Sequence, residues 1–470
     1  MNAAERIYTA STHEDASGAR LAEKLARQIE DDIAARDVPS GDAFGSLRDL
    51  SERYSVGRAV TREAIGLLER RGLGRLRPGP CGGFILAKPQ SDAVSEELAA
   101  YFRAVGITLS QLLDAREAVD LMAASRAALA KATPTESDVP DRRTGGLERH
   151  LAFRTEIARL TGEPILMLLV KCLNILTADF DYGDGERSQA YEVDDLVPTI
   201  RAAIEAGDED AAVLAMHQAH HRLAGQLRPR EGAAPGEVVG KSRLADDRTL
   251  SAAVARKLAA EIVRSGSAGQ RLGSEWDLCE RFSVSRLTLR QAIRLLQDSG
   301  LVECRRGRGN GLVVRNHRGT GSIRLALAYL IGKKMNPLTA GTILFQLNGF
   351  IPALAVARAD AAQRKSLEKQ LSRTEASDPI DRYDLLRLVH CVSTLADSPI
   401  IDLFSRCLAA YEARFHPSLV LRLPASVQVE YFRLVRNLLD RSCGTAAGDF
   451  ADAKVESARV MIGMSRSRPI

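Results

Sequence analysis

The 470-residue chain has few of the features that mark secreted proteins, membrane proteins or proteins with structural zinc sites. Its seven cysteines are odd in number and scattered, with no Cys-x-x-Cys pair, which argues against a disulfide framework and a thiolate zinc site. No apolar run approaches the roughly 20 residues that a membrane span needs. The first 20 residues also lack an apolar signal core. We therefore expect a soluble, intracellular protein in a reducing cytosol.

Motifs of catalysis are equally scarce. The sequence contains no Gly-x-Ser-x-Gly, His-Glu-x-x-His, P-loop or dinucleotide-binding glycine motif. We therefore predict that the chain is not an enzyme and carries no cofactor. Aromatic residues are 5% of the chain, but the 45% hydrophobic content is enough for packed cores, and the length predicts about two to four domains.

The most informative feature is that the chain repeats itself. The segment GSLRDLSERYSVGRAVTREAIGLLERRGL, which begins at Gly45, aligns without a gap with GSEWDLCERFSVSRLTLRQAIRLLQDSGL, which begins at Gly273. More than half of the aligned positions are identical, on charged and apolar residues alike. The pattern predicts a tandem duplication of one unit of about 230 residues rather than an array of short repeats.

Each copy divides into a small domain and a longer domain rich in leucine and alanine, and the whole is predicted to be mainly α. A stretch rich in proline, glycine and charge separates the copies and is typical of a linker. The predicted segments are a disordered N-terminus at 1–17, a small domain at 18–90, a helical domain at 95–227, a linker at 228–247, a second small domain at 248–317 and a second helical domain at 322–465.

The small domain has the element order of a winged helix-turn-helix. Leu25 and Ile29 recur at helical spacing, and Ser46 is placed to cap the next helix. After a tight turn, RAVTREAIGLLERRG predicts a further helix with Ile65 and Leu68 toward the core. RLRPGPCGGFIL then predicts two short strands joined by a turn.

Positive charge is concentrated in both small domains. Arg48–Arg77 holds eight arginines and four acids, and Arg271–Arg308 holds eight arginines and five acids. Such local excess is what a phosphate backbone attracts, and arginine also reads guanine edges in the major groove. The small domains are therefore predicted to bind DNA.

A pair of arginines four residues apart marks the start of each third helix. Arg58 and Arg62 share one face of the first copy, and Arg286 and Arg290 take the same places in the second. On one isolated helix such a pair is usually just a solvated face. Its recurrence behind a turn and before a glycine-rich hairpin favours a recognition helix.

These motifs resemble the GntR family of bacterial transcription regulators. The resemblance rests on SLRDL, VGRAVTREAI, LERRGL and PGPCGG in the first copy, and on SEWDL, VSRLTLRQAI, LQDSGL and GRGNG in the second. The helical domains are similar to the ligand-binding domain of the FadR subfamily. The resemblance implies two winged helix-turn-helix domains, each followed by an all-helical FadR-like (FCD-type) bundle.

The resemblance also implies which residues contact DNA. They are Arg48, Arg58, Thr61 and Arg62 in the first copy, and Ser274, Ser285, Arg286, Thr288, Arg290, Arg308 and Gly309 in the second. Two departures weaken individual heads. Trp276 stands at the position of Arg48, and Gly57 and Val60 replace hydroxyl residues of the family pattern, for which Thr61 is expected to substitute.

The helical domains depart further from the family. Many members hold a metal through an Asp, a His four residues later and two more His, but the first two positions here are His150 and Arg154. We therefore predict no metal. The predicted effector-binding residues are Arg116, His150, Arg154, His217 and His220. They either meet an anionic ligand such as a carboxylate or serve only as polar lining.

Together these observations predict a transcriptional regulator, with repression as the commoner family outcome. Two tethered heads would bind two related but unequal half-sites on successive major-groove turns, about 34 Å apart. An unknown small-molecule effector would release the DNA. One chain would act as a pseudo-dimer, or two chains as a homodimer with four heads. The alternative is a ligand-sensing or protein-interaction module whose heads no longer bind DNA specifically.

Overall fold

The computed structural model describes residues 21–36, 41–70, 72–79, 82–87, 90–131, 146–182, 196–228, 250–265, 270–298, 302–304, 311–314, 319–376, 382–415 and 425–442. The predicted disordered N-terminus, nearly all of the predicted linker, and the wing-tip residues Arg308 and Gly309 lie outside these residues. The described part of the chain is mainly helical, as the sequence predicts.

The first half of the chain carries nine helices and five short strands in its described residues. In chain order they are α1 (Leu21–Arg36), β1 (Ala43–Gly45), α2 (Leu47–Arg53), α3 (Arg58–Arg70), β2 (Gly74–Arg77), β3 (Gly83–Leu86), α4 (Ser91–Val105), α5 (Leu109–Leu129), α6 (Gly146–Leu160), α7 (Pro164–Thr177), β4 (Asp181–Tyr182), α8 (Leu196–Ala206), α9 (Glu209–Gln226) and β5 (Leu227–Arg228).

The second half begins with the same order of elements. They are α10 (Leu250–Ser265), β6 (Arg271–Gly273), α11 (Glu275–Phe282), α12 (Arg286–Asp298), β7 (Val302–Cys304), β8 (Leu312–Val314), α13 (Thr320–Gly332), α14 (Pro337–Asn348), α15 (Ile351–Arg358), α16 (Ala361–Glu375), α17 (Arg382–Ala396), α18 (Pro399–Phe415) and α19 (Ala425–Ser442). We call α1 to β3 the first head and α10 to β8 the second head.

The described residues form two compact units. The head unit contains the first half up to Gly106 and the second half up to Lys334, and the helical unit contains the rest. This division differs from the predicted domain bounds, because α4 and α13 belong with the heads. The reason is packing: α13 contacts both α4 and α1, and Ala328 of α13 is part of the first head's core.

Each head has its own apolar core. Leu25, Ile29, Ile65 and Leu68 are buried in the first head, at the helical spacing that the sequence showed. In the second head the core includes Leu258, Ile262, Leu278, Leu289, Ile293 and Leu296. The heads are therefore separately packed bodies with matching elements.

Local signals fix the helix starts and the small sheets. Ser46 caps α2 in a reciprocal pair with Asp49, and Ser274 caps α11 in the same way with Asp277. Strands β1 and β6 were not predicted from the sequence. They add a third strand to each hairpin, in the orders β1-β3-β2 and β6-β8-β7. A side chain at Gly311 would lie 2.3 Å from the Gly273 carbonyl oxygen, so this strand pair requires glycine.

The helical unit is built around α5, which is buried on nearly all sides. It packs against α6, α7, α8 and α9 of its own half and against α14 and α18 of the second half. Asp114 of α5 accepts a hydrogen bond from Arg358 at 2.5 Å, and the Gln111 amide donates to the Asp397 carbonyl oxygen at 3.0 Å. The two halves therefore share one packed unit.

One described stretch, Pro337–Arg358, is apolar and long enough to pass as a membrane span, contrary to the expectation from the sequence. The stretch is split into α14 and α15 around Gly349 and Phe350, and 78% of its apolar window is buried in the structure. Burial of this kind is typical of a core helix.

Candidate nucleic-acid interface and effector site

In the first head, the paired arginines lie exposed on α3. Arg58 and Arg62 stand at positions one and five of the helix, so they share a face. Neither makes a hydrogen bond or an ion pair with another described residue. Arg48 is also exposed, and its Nε donates to Glu52 at 2.8 Å, which raises the pKa of the guanidinium. The first head thus presents two exposed guanidinium groups at a helix start, neither bonded to another residue in the described part of the chain.

In the second head the equivalent arginines are exposed but engaged. The Nε of Arg290 donates to both carboxylate oxygens of Glu275, at 3.1 and 3.2 Å. The guanidinium of Arg286 lies 5.1 Å from the centre of the Trp276 ring, in cation–π geometry. Leu47 aligns with Glu275 in the first head. The two heads therefore differ in electrostatics as well as in sequence.

Two of the serines predicted to contact DNA, Ser274 and Ser285, accept hydrogen bonds from backbone N–H groups at helix starts. The Ser285 oxygen accepts from the backbone N–H of Thr288 at 3.1 Å, and the two hydroxyls are 2.9 Å apart. The Ser274 oxygen accepts from the backbone N–H of Asp277 at 3.2 Å. Capping uses one lone pair of each serine, so these residues first of all set the positions of α11 and α12.

The prediction for Thr61 needs correction. Thr61 is fully buried, and its hydroxyl bonds the Ser51 hydroxyl at 2.9 Å and the Gly57 carbonyl at 3.2 Å. It cannot replace a surface hydroxyl. The repeat already indicated that Thr61 is buried, because Thr61 aligns with Leu289, a core residue of the second head.

The helical unit contains a buried ion cluster around Asp120. One carboxylate oxygen of Asp120 lies 2.7 Å from the Nε of Arg154 and 3.6 Å from Nη1 of Arg116. Arg116 also donates to the Thr177 hydroxyl and to the Asn174 side-chain oxygen, each at 2.9 Å. All three ions are essentially inaccessible to solvent. Two buried guanidiniums thus share the Asp120 carboxylate as a counter-charge.

Two buried histidines lie in the field of this cluster. Desolvation, followed by the charges of Arg154 and Arg116, holds the pKa of His150 well below its usual value. Desolvation is also the main cause that lowers the pKa of His220, to about 3. Both rings are therefore neutral at pH 7. The structure brings the five predicted effector residues into one region of the helical unit.

Three side chains beside the ion cluster could hold a cation. The ligand atoms of Glu117, His217 and His221 lie within 4.8 Å of one another, with His221 exposed and the other two buried. His217 Nδ1 is also 2.9 Å from Glu117 Oε1, which is an ordinary hydrogen bond. Glu117 and Asp120 were not among the residues predicted from the sequence. The signal for Asp120 was its place four residues after Arg116, on the same helical face.

The second half of the helical unit has no counterpart to this cluster among its described residues. It buries the carboxylates of Asp384 and Glu412, but every arginine and histidine described there is at least partly accessible. The buried cationic site is therefore a property of the first half in the described part of the chain.

Comparisons with known proteins match both arginine-rich heads to one family of regulatory proteins. Residues 21–80 and 250–312 each match the model of the family described as bacterial regulatory proteins, gntR family. Over 168 residues the chain is 26% identical to the HTH-type transcriptional repressor NanR of Escherichia coli O127:H6 and to that of Shigella sonnei. These matches cover 32% of this chain and 61% of each relative, so less than two thirds of the relatives' length is spanned.

Among solved structures, the chain is similar to Streptococcus agalactiae GntR with 18% identity and a TM-score of 0.35. That match covers 47% of this chain and all of the other. The residues matched by the family model lie in the two heads.

Proposed function

We propose that this protein is a DNA-binding transcriptional regulator that acts as a repressor, with two heads that bind two unequal half-sites. The observation that carries the proposal is the recurrence of exposed arginine pairs, Arg58 with Arg62 and Arg286 with Arg290, at the start of the same helix in two segments that match the gntR family model. Residues at the start of a recognition helix contact base edges and phosphates.

The test is the salt dependence of DNA binding by the full-length chain. Loss of one phosphate contact lowers the slope of log K against log salt by about 0.9, and loss of one bidentate base contact costs about 1–3 kcal/mol. Arg58→Ala/Arg62→Ala and Arg286→Ala/Arg290→Ala should each weaken operator binding. A control with exposed Arg387 and Arg433 of the helical unit changed to alanine should bind like the wild type. Unchanged affinity in both head variants would refute the proposal.

We further propose that one polypeptide takes the place of two subunits through duplication of a whole unit. Support comes from the packing of α5 against α14 and α18 and from the Asp114–Arg358 ion pair between the halves. Light scattering at micromolar concentration distinguishes the 51.0 kDa monomer from a homodimer with four heads.

The buried cluster suggests how an effector would act. An anionic ligand would compete with Asp120 for Arg116 and Arg154, and this exchange would bias the heads toward a state that releases DNA. Asp120→Asn removes the carboxylate that the ligand would displace and leaves its charge unreplaced, so small carboxylates should stabilise this variant more than the wild type. The measurement is a thermal-shift screen of small carboxylates followed by operator binding with each hit. Asp402→Asn, which removes only an exposed ion pair with Arg406, is the matched control.

We also propose that the helical unit works without a metal cofactor. Glu117 already has His217 as a hydrogen-bond partner, and a divalent ion there would add charge next to two buried guanidiniums. Micromolar Zn²⁺ should leave the melting temperature unchanged, in the wild type as in His221→Ala. Zinc stabilisation that is lost in His221→Ala would overturn this part.

A second candidate function is a ligand-sensing or protein-interaction module whose heads no longer bind DNA specifically. It is favoured by one observation in the second head, where Glu275 neutralises Arg290 and Trp276 covers Arg286. Binding to genomic fragments that is weak and insensitive to salt would support this reading against the regulator.

A further inference from the structure

Two large apolar side chains stand exposed at the helix starts of the second head. Trp276 is the second residue of α11 and is 64% exposed, and Leu287 is the second residue of α12 and is 69% exposed. They are the two most exposed large hydrophobic side chains among the described residues. Isolated exposed apolar side chains are common on proteins, but these two lie on the helices that carry the residues predicted to contact DNA.

The first head differs at both positions. Arg48 takes the place of Trp276, and Ala59 takes the place of Leu287, in an alignment without gaps. Both positions are exposed in each head, so these two substitutions change the surface. The second head has therefore exchanged a cation and a methyl group for an indole and an isobutyl group.

The charge around Leu287 points to nucleic acid as the partner. Arg286 precedes it, and Arg290 and Arg294 follow one and two turns later, all of them exposed. Arg290 pairs with Glu275 and Arg294 with Glu63, so Arg286 is the arginine here without an acidic partner in the structure described. The apolar group that the major groove offers beside its polar edges and phosphates is the 5-methyl group of thymine. A protein groove that fits leucine would not by itself need the exposed Arg286 guanidinium next to it.

Resting on the proposed function, we propose that Leu287 reads the 5-methyl group of a thymine in the half-site bound by the second head. Trp276 is the positioning partner, because its ring lies 5.1 Å from the Arg286 guanidinium and limits where that side chain moves beside Leu287. Ala59 of the first head offers only a methyl group at this position, so it would bury less apolar surface against a thymine methyl group. The two half-sites then differ in thymine content, although both heads carry the same arginine pair.

The experiment removes the methyl group from DNA and leaves every hydrogen-bonding group in place. Operators are selected from a random duplex library with the full-length protein, and the second half-site is the one whose enrichment is lost in Arg286→Ala/Arg290→Ala. Each thymine of that half-site is then replaced singly by deoxyuridine, and affinity is measured by fluorescence anisotropy. One position should lose about fourfold in affinity, the value of one buried methyl group.

The protein variants assign that loss to Leu287. Leu287→Ala should bind the thymine and deoxyuridine duplexes equally. Leu250→Ala, which truncates a 60% exposed leucine at the start of α10, should keep the difference of about fourfold that is expected for one methyl group. Trp276→Phe should retain most of the discrimination, and Trp276→Ala should reduce it.

Three results would overturn the inference. If no thymine of the second half-site responds to loss of its methyl group, Leu287 does not read one. If Leu287→Ala retains the discrimination, another residue makes the contact. If the protein enriches no sequence and binds DNA without salt dependence, the proposed function itself fails. A protein partner whose binding is lost in Leu287→Ala would then show that this surface binds protein rather than DNA.

Discussion

A carboxylate oxygen of Glu63 lies 3.6 Å from the Nε of Arg294, so one ion pair joins α3 of the first head to α12 of the second. The pair is asymmetric in the repeat, because Glu63 aligns with Gln291 and Arg294 aligns with Gly66. The symmetric counterpart of this contact therefore carries no charge. The pairing of one head with the other is encoded in residues that differ between the copies.

This contact limits the distance between the two helix starts. At 1.5 Å per residue, the starts of α3 and α12 lie roughly 8 Å and 12 Å along their axes from the contact. A separation of about 34 Å, as expected from the sequence for successive groove turns, would require nearly collinear axes. We therefore expect half-sites closer than one full turn.

Breaking the ion pair should relax the spacing preference of the operator. Both side chains are partly exposed, so the pair contributes less than about 1 kcal/mol, and Glu63→Gln should flatten the ranking of spacings without abolishing binding. The measurement is affinity for operators lengthened or shortened by single base pairs. The swap Glu63→Arg/Arg294→Glu should restore the ranking, and Glu52→Gln, which breaks an ion pair inside one head, should not change it. An identical ranking in Glu63→Gln would show that the contact does not set the spacing.

Removing Glu275 should strengthen DNA binding by the second head. Glu275→Gln frees the Arg290 guanidinium and removes a negative charge beside it, so the slope of log K against log salt should steepen by about 0.9 for one added phosphate contact. Salt-titrated anisotropy measures the slope. Glu280→Gln removes an exposed carboxylate of the same helix and should have a smaller effect. If the slopes of Glu275→Gln and the wild type coincide, Arg290 does not reach phosphate.

Thr61→Val should reduce stability and leave DNA affinity unchanged. Valine keeps the shape of threonine but removes the hydrogen bond to Ser51, which should cost about 1 kcal/mol of unfolding free energy. Urea unfolding and operator binding well below the melting temperature separate the two effects. Arg62→Ala should show the reverse pattern, with weaker binding and little change in stability. A DNA defect in folded Thr61→Val would reinstate Thr61 as a contact residue.

Acid should destabilise the helical unit through its buried histidines. Because the pKa of His220 is about 3 in the folded state and near 6.5 in the unfolded chain, the unfolded state binds more protons between these values. The free energy of unfolding is therefore highest above pH 6.5 and falls as the pH drops from 6.5 toward the folded-state pKa. At pH 5 the loss is about 2 kcal/mol for His220, and His150 adds to it in the same direction.

Chemical unfolding at pH 7 and pH 5 measures this loss. His220→Gln should lose part of the pH dependence, whereas His390→Gln, which changes an exposed histidine of α17, should keep all of it. A wild type equally stable at both pH values would contradict the neutral, buried state of these rings.

The internal repeat, the mainly helical class and the element order of the heads could all be predicted from the amino-acid sequence. This is because local signals suffice there: apolar spacing placed Leu25, Ile29, Ile65 and Leu68, and Ser46 marked a helix start. These signals act within a few residues along the chain, so they survive without knowledge of the fold. The exposed arginine pairs were readable for the same reason.

Tertiary structure alone decided the contacts between residues far apart in the chain. Glu63 meets Arg294, Asp114 meets Arg358, and Ala328 completes the core of the first head. Strand β1 is fixed by its partner β3 rather than by its own three residues. The neutral histidines depend on desolvation by neighbours from several helices, a property that no local pattern records.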